Sequence, residues 1–249
     1  MSTSVRPQIT VISLHESIDR RAVFSKLNSH INFQFMDAVV GRDLGAEIIE
    51  NKSLFTEDIS YSRGIAGNAL SHLLLWQYSF NNNLSITVAE DDCFFRLDFN
   101  EYFSTITDLL PPDWDIVHWG WNFDSILSLK LFNSFSNFYM YADQDLLRMN
   151  IENFRAFNVK PFILELNSSY GLPCYSISPK GAAKLTSGCF PLSNINKYSG
   201  DTYNNTGLDV AMSTVYPKIK SYICLPPLVA TSNTKDDSTA NKFWTAPIK

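Results

Sequence analysis

Residues 84–92 read LSITVAEDD, an apolar run centred on Ile86, Thr87 and Val88 that stops at three consecutive carboxylates, Glu90, Asp91 and Asp92. The run has the length and β-branched content of a buried strand. In an open α/β sheet, such a strand delivers the residues after it to the crevice outside its carboxyl end, where ligands bind. Three adjacent acids in that crevice repel one another unless a positive charge sits among them. A divalent cation, Mn²⁺ or Mg²⁺, is the simplest partner, because hard cations prefer carboxylate oxygens and share them with diphosphates. The same letters also describe a solvated strand end whose acids cap the next helix, and local sequence alone does not separate the two.

The rest of the chain reads as strands alternating with helices. Residues 9–14 suit a first strand, followed by a helix holding Arg20, Arg21, Phe24 and Leu27. Residues 31–35 suit a second strand, ending at Met36, Asp37 and Ala38, and residues 41–63 a long loop with one helical turn. Gly64 and Gly67 open a helix whose Leu70, Leu73, Leu74 and Trp76 mark a buried face. Residues 99–110 form a helix stopped by two prolines, and 114–119 another strand. This alternation argues for an α/β fold, a mostly parallel central sheet flanked by helices. Residues 122–170 are aromatic and Asn-rich without clear periodicity, the pattern of a long functional loop. Order returns with a strand at 174–178, a helix with Pro179 in its first turn, a short helix at 208–215 and a strand at 222–225.

Composition narrows the function classes. With 249 residues, 45% of them hydrophobic, the chain can bury the core of one sizeable α/β domain or of two small ones. Its net charge of −5 argues against a nucleic-acid partner, which demands a basic face. No apolar run is long enough to span a bilayer, and the first residues lack the core and cleavage site of a signal peptide. The four cysteines, Cys93, Cys174, Cys189 and Cys224, share no CxxC spacing and read as small buried hydrophobes of a reduced protein. Four N-x-S/T sequons carry no weight outside a secreted protein. These features describe a cytoplasmic chain, at most peripheral at an inner membrane face.

Six segments in order resemble glycosyltransferase family 25, the lipopolysaccharide and lipooligosaccharide galactosyltransferases and their relatives that act on collagen. They are VISLHESIDRR (11–21), FMDAVVGRDL (35–44), GIAGNALSHLLLW (64–76), VAEDD (88–92), YSISPKGAAKL (175–185) and GLDVAM (207–212). The resemblance they carry covers most of the chain from residue 9 to about 239. Asn68 stands where the family pattern usually has Cys, a change that packing is expected to absorb. The resemblance implies a single GT-A, Rossmann-like domain over residues 1–249, with a nucleotide-binding half at 9–120, an acceptor-binding half at 121–239 and a tail at 240–249. It also implies an inverting, metal-dependent transfer of a sugar, often galactose from UDP-galactose, to a glycan acceptor that can be lipid-linked.

Under that resemblance Asp92, with Glu90 or Asp91, holds the metal that bridges the diphosphate. Alternate residues past a strand point the same way, so Glu90 and Asp92 share a face and Asp91 points to the other. Asp92 is the favoured ligand, and a neighbour binds ribose or sugar hydroxyls. Asp209 suits the base that takes the acceptor's proton, its competing role being a helix cap; Asp201 is the reserve. Ser13, Leu14 and His15 are placed against the uridine, Arg20 or Arg21 near a phosphate, and Ala38 and Gly41 where a missing side chain admits uracil or ribose. His72 reads as structural support near the donor, and His118, Trp119 and Trp121 as a lining for the sugar. Two further readings remain: a glycan hydrolase with paired carboxylates, and a non-catalytic carbohydrate-binding protein on the same fold.

Overall fold

A computed structural model describes residues 7–131, 135–198, 201–233 and 248. At its centre lies a nine-stranded sheet with strand order β2-β1-β3-β9-β5-β12-β8-β6-β7. The strands are β1 (Gln8–Ser13), β2 (Asn32–Asp37), β3 (Ile86–Glu90), β5 (Ile116–His118), β6 (Leu127–Leu131), β7 (Ser136–Met140), β8 (Phe162–Ser168), β9 (Cys174–Ile177) and β12 (Ser221–Leu225). Two small pairs lie outside the sheet: β4 (Cys93–Phe95) with β13 (Val229–Thr231), and β10 (Ile195–Tyr198) with β11 (Asp201–Asn204).

Successive residues of the central strands divide between two cores, as a period of two requires. Val88, Ile116 and Ile223 face one cluster, which contains Trp76 of α3 (Arg63–Asn82), Leu185 of α7 (Pro179–Cys189) and Met212 of α8 (Leu208–Ser213). Ala89, Val117 and Cys224 face the other, with Phe24 of α1 (Ile18–Leu27) and Phe99 and Ile106 of α4 (Phe99–Leu109). Helices therefore cover both faces, and the α/β, Rossmann-like reading holds. Local signals set the helix ends. Ser62 caps α3 by accepting from the Ile65 amide, and Asn83 ends it in a left-handed conformation. Ser178 caps α7 by accepting from the Gly181 amide, with Pro179 in the first turn as expected.

The strand directions are more mixed than the alternation suggested. Strands β2, β1 and β3 run parallel, as do β5 and β12, but β9 enters antiparallel between β3 and β5, and β8, β6 and β7 are all antiparallel to their neighbours. Those last strands occupy the segment read as one long loop, together with helices α5 (Gln144–Met149) and α6 (Ile151–Ala156). They escaped detection because β7 is exposed along its whole length and β8 along part of it, so neither shows apolar alternation.

The direction of β9 decides which loop reaches the ligand-binding edge of the sheet. Its first residue, Cys174, lies opposite Ala89, and the Glu90 amide donates to the Pro173 carbonyl at 3.1 Å. The loop before β9 is thereby brought to the same sheet edge as the carboxyl end of β3. Asn122, after β5, joins it by donating its amide to the Tyr170 carbonyl.

Candidate functional site

At that edge opens a cleft of about 330 Å³. Its walls include Ser13, Leu14, Arg20, Ala38, Gly41, Glu90, Asp91, Asp92 and Asp209, so nine residues singled out in the sequence converge on one space. His15, placed against the uridine by the sequence, is not among them. It is exposed and faces Asp37, with its Nδ1 3.4 Å from Oδ1, because the turn after β1 carries it past the rim.

The three acids divide as strand alternation dictates. Asp91 points toward α1: Ser13 Oγ donates to its Oδ2 at 2.6 Å, and the Arg20 guanidinium clamps Oδ1 through Nε at 3.0 Å and through Nη2. Arg20 is thus held in the cleft by a carboxylate that is itself fully occupied. Arg21 does a different job, donating to the Ser13 carbonyl at 2.8 Å and to Asp37, and so lacing β1 to β2.

Glu90 points the other way, toward α3. Asn68 Nδ2 donates to its Oε1 at 3.3 Å, and His72 Nε2 lies 3.7 Å from the same oxygen. Burial works to raise the Glu90 carboxyl, but His72, Asn68 and Arg20 outweigh it and leave the group below its ordinary range. Asn68 is therefore not absorbed by packing as expected; it lines the cleft and holds an acid. Its signal in the sequence was a polar residue one turn before Ser71 and His72 on an otherwise apolar face.

Asp92 sits in the turn beyond β3 with one oxygen buried and unpartnered. Arg20 Nη2 approaches its other oxygen only to 3.9 Å. Burial, and then the Glu90 charge, push its carboxyl up to about 7. A buried carboxylate oxygen with no donor, next to a second acid, is what a hard cation would satisfy. Among the described residues no group of three or more His, Cys, Asp or Glu could hold a metal ion, so any cation here would lean on Asp92, Glu90, substrate oxygens and water.

Asp209 faces the triplet from the first turn of α8. Gly171 donates its amide to Oδ2 at 2.8 Å and Val210 donates to Oδ1 at 2.9 Å. Burial raises its carboxyl against these two bonds. Gly171 has φ +79° and no room for a β-carbon, which would stand 2.2 Å from the Asn122 side chain. Asp201 lies in β11, and its side chain is outside the described part of the structure, as are the tail residues 240–247 and 249.

Gly41 lines the cleft, but its missing side chain serves packing: a β-carbon there would stand 1.9 Å from the Arg63 carbonyl oxygen. The loop it belongs to is held by Ser71, whose Oγ accepts from the Val39 amide at 2.8 Å. His118, Trp119 and Trp121 do not line the cleft, contrary to expectation. All three are buried in the protein interior, and burial drives His118 down to about 3. Trp119 and Trp121 thus offer no sugar-facing surface. The sequence also missed Asn122, Thr206, Gly207 and Asn233 on the cleft wall, because loop residues carry no periodicity.

Residues 6–195, well over half the chain, match the family described as "Glycosyltransferase family 25 (LPS biosynthesis protein)". The chain belongs to glycosyltransferase family 25. It is accordingly a glycosyltransferase of a lipopolysaccharide-biosynthesis family, with a nucleotide sugar as donor and a glycan as acceptor. The match covers five of the six resembling segments and stops before GLDVAM, so the Asp209 wall lies beyond it. No curated protein matches the chain. Among solved structures, "Crystal Structure of A197 from STIV" aligns over 90% of this chain and 83% of that one, at 10% identity and a TM-score of 0.39. No helix among the described residues is long and apolar enough to cross a membrane.

Proposed function

We propose that this glycosyltransferase moves a hexose, galactose from UDP-galactose, to a hydroxyl of a lipooligosaccharide-type glycan, with inversion at the anomeric carbon. The observation that carries the reading is the placement of Asp209 across a single cleft from Glu90, Asp91 and Asp92. Inversion needs charge stabilisation on one side of the anomeric carbon and a proton acceptor on the other.

The residues take separate roles. Ser13, Leu14, Ala38 and Gly41 form the edge against which the nucleoside lies. Arg20, oriented by Asp91, offers its charge to the diphosphate. Asp92, beside Glu90, would hold Mn²⁺ or Mg²⁺, which when bound supplies positive charge for the departing diphosphate. Asp209, raised by burial, takes the proton of the attacking hydroxyl, and its amide bonds fix the direction in which it does so.

Nucleotide release from a panel of nucleotide sugars, with and without Mn²⁺, tests the reading. Metal-dependent release from UDP-galactose supports it. Release from a different donor corrects the sugar, and metal-independent turnover removes the cation. Silence on every donor, with no UDP-induced shift in melting temperature, overturns it.

A further inference from the structure

Behind Glu90 lies a buried chain of polar groups that stands back from the cleft wall. His72 is fully buried on α3, its Nδ1 2.8 Å from the Tyr175 hydroxyl, and Trp76 Nε1 lies 2.9 Å from that same hydroxyl. The indole nitrogen can only donate, so the Tyr175 oxygen accepts from it. Tyr175 has one proton left to give, and His72 Nδ1 is its acceptor in this network. His72 therefore carries its own proton on Nε2. That nitrogen is buried without a hydrogen-bond partner and lies 3.7 Å from Glu90 Oε1. Asn68 donates to the same oxygen, and Oε2 accepts no hydrogen bond from the described residues.

We propose that His72 is a positioning residue for Glu90: Trp76 and Tyr175 lock its Nε2–H tautomer, which turns Glu90 so that Oε2 accepts a hydroxyl of the donor. The inference rests on the proposed transferase reading for the identity of that hydroxyl, but the tautomer lock stands apart from it. The 3.7 Å separation is the loose geometry that contacts in active sites show before substrate draws them together. The adjacent Ser71 holds the 38–41 loop from the same turn of α3, so one helical turn supports both the nucleoside edge and the hydroxyl-reading acid.

The test has two arms. The first records imidazole nitrogen spectra of protein labelled in its four histidines, with His72→Gln giving the assignment. The expected spectrum shows His72 protonated on Nε2 alone, with the preference lost in Tyr175→Phe. Protonation on Nδ1 overturns the proposal whether or not the protein transfers sugar.

The second arm measures kcat, KM for UDP-galactose and affinity for UDP alone. His72→Leu is expected to lower kcat by roughly ten- to a hundredfold, the scale for groups that orient a functional residue, with UDP affinity unchanged. His72→Gln, whose amide can donate from the place of Nε2, recovers most of the loss. In a Glu90→Gln background, His72→Leu adds nothing further. Additive losses, or no recovery by Gln in a protein of normal melting temperature, overturn the proposal. If the wild type neither turns over any donor nor binds UDP, the transferase reading fails, and the nitrogen spectrum alone decides the lock.

Discussion

The two walls of the cleft are built by different means. At the tips of β1 and β3, side chains do the bracing: Arg20 and Ser13 hold Asp91, Asn68 holds Glu90, and Ser71 holds the backbone after β2. Across the cleft, Asp209 is held by two backbone amides, one from its own helix and one from Gly171 in a loop before β9. The first wall is preorganised by cross-links made within the fold's most regular part. The second depends on where two loops happen to meet. A binding surface gains from the first kind of construction, and a single acid with a raised proton affinity needs little more than the second.

The largest test of this contrast is Asp209→Asn. It should lower kcat by roughly 10²–10⁴-fold while leaving UDP affinity and melting temperature near wild type. In the wild type, burial of Asp209 places the acid limb of the kcat profile above the ordinary carboxylate range, since the base must be deprotonated to act. A variant that loses UDP binding instead would put Asp209 on the binding wall.

Two glycines, one on each wall, separate stability from turnover. Gly41→Ala forces a β-carbon to 1.9 Å from a backbone oxygen and should cost about 2–3 kcal/mol in urea unfolding. Gly207→Ala meets only Asp209 Oδ1 at close range, 2.7 Å, with extended backbone. It should displace the carboxylate and reduce turnover roughly tenfold, about 1.4 kcal/mol, with little change in stability. Equal stability losses in the two variants would erase the distinction between the walls.

Asp91→Asn should destabilise by about 2 kcal/mol, less than a fully buried broken pair because Arg20 keeps part of its surface in water. It should also weaken UDP binding, because Arg20 loses its orientation. Unchanged UDP affinity would remove Arg20 from the diphosphate.

A smaller effect concerns pH. The folded value for Asp92, about 7, stands above its ordinary 3.8, so the folded protein holds this proton longer than the unfolded chain does. Its contribution to stability is full below the ordinary carboxylate range and is lost as pH rises toward 7. Asp92→Asn should flatten that part of the melting-temperature profile. A profile of unchanged slope would refute the assignment. The smallest effect is His15→Ala, an exposed residue beside an exposed acid; melting temperature and UDP affinity should stay at wild-type values. A tenfold loss of affinity would return His15 to the nucleoside edge.

The acid triplet, the paired arginines and the Gly-x-x-Gly helix were legible because each is a local pattern with a local cause. A buried strand must alternate, so the directions of Glu90 and Asp91 followed from the letters alone. Asn68 and His72 were visible as polar residues on an apolar helix, but nothing local says which carboxylate they serve. His118, Trp119 and Trp121 misled for the same reason: aromatic residues after a strand read alike whether they end in a crevice or in a core.

Periodicity and motif order are properties of neighbours along the chain, and they suffice for the family, the α/β class and most of the acids and glycines gathered at the end of β3. Tertiary structure alone decided that β9 enters antiparallel, bringing Gly171 to the edge where Glu90 lies and giving Asp209 an amide to lean on. It also decided which of two adjacent arginines faces the cleft. Strand direction and the meeting of distant loops are set by how the whole core closes, a condition that no short stretch of sequence contains.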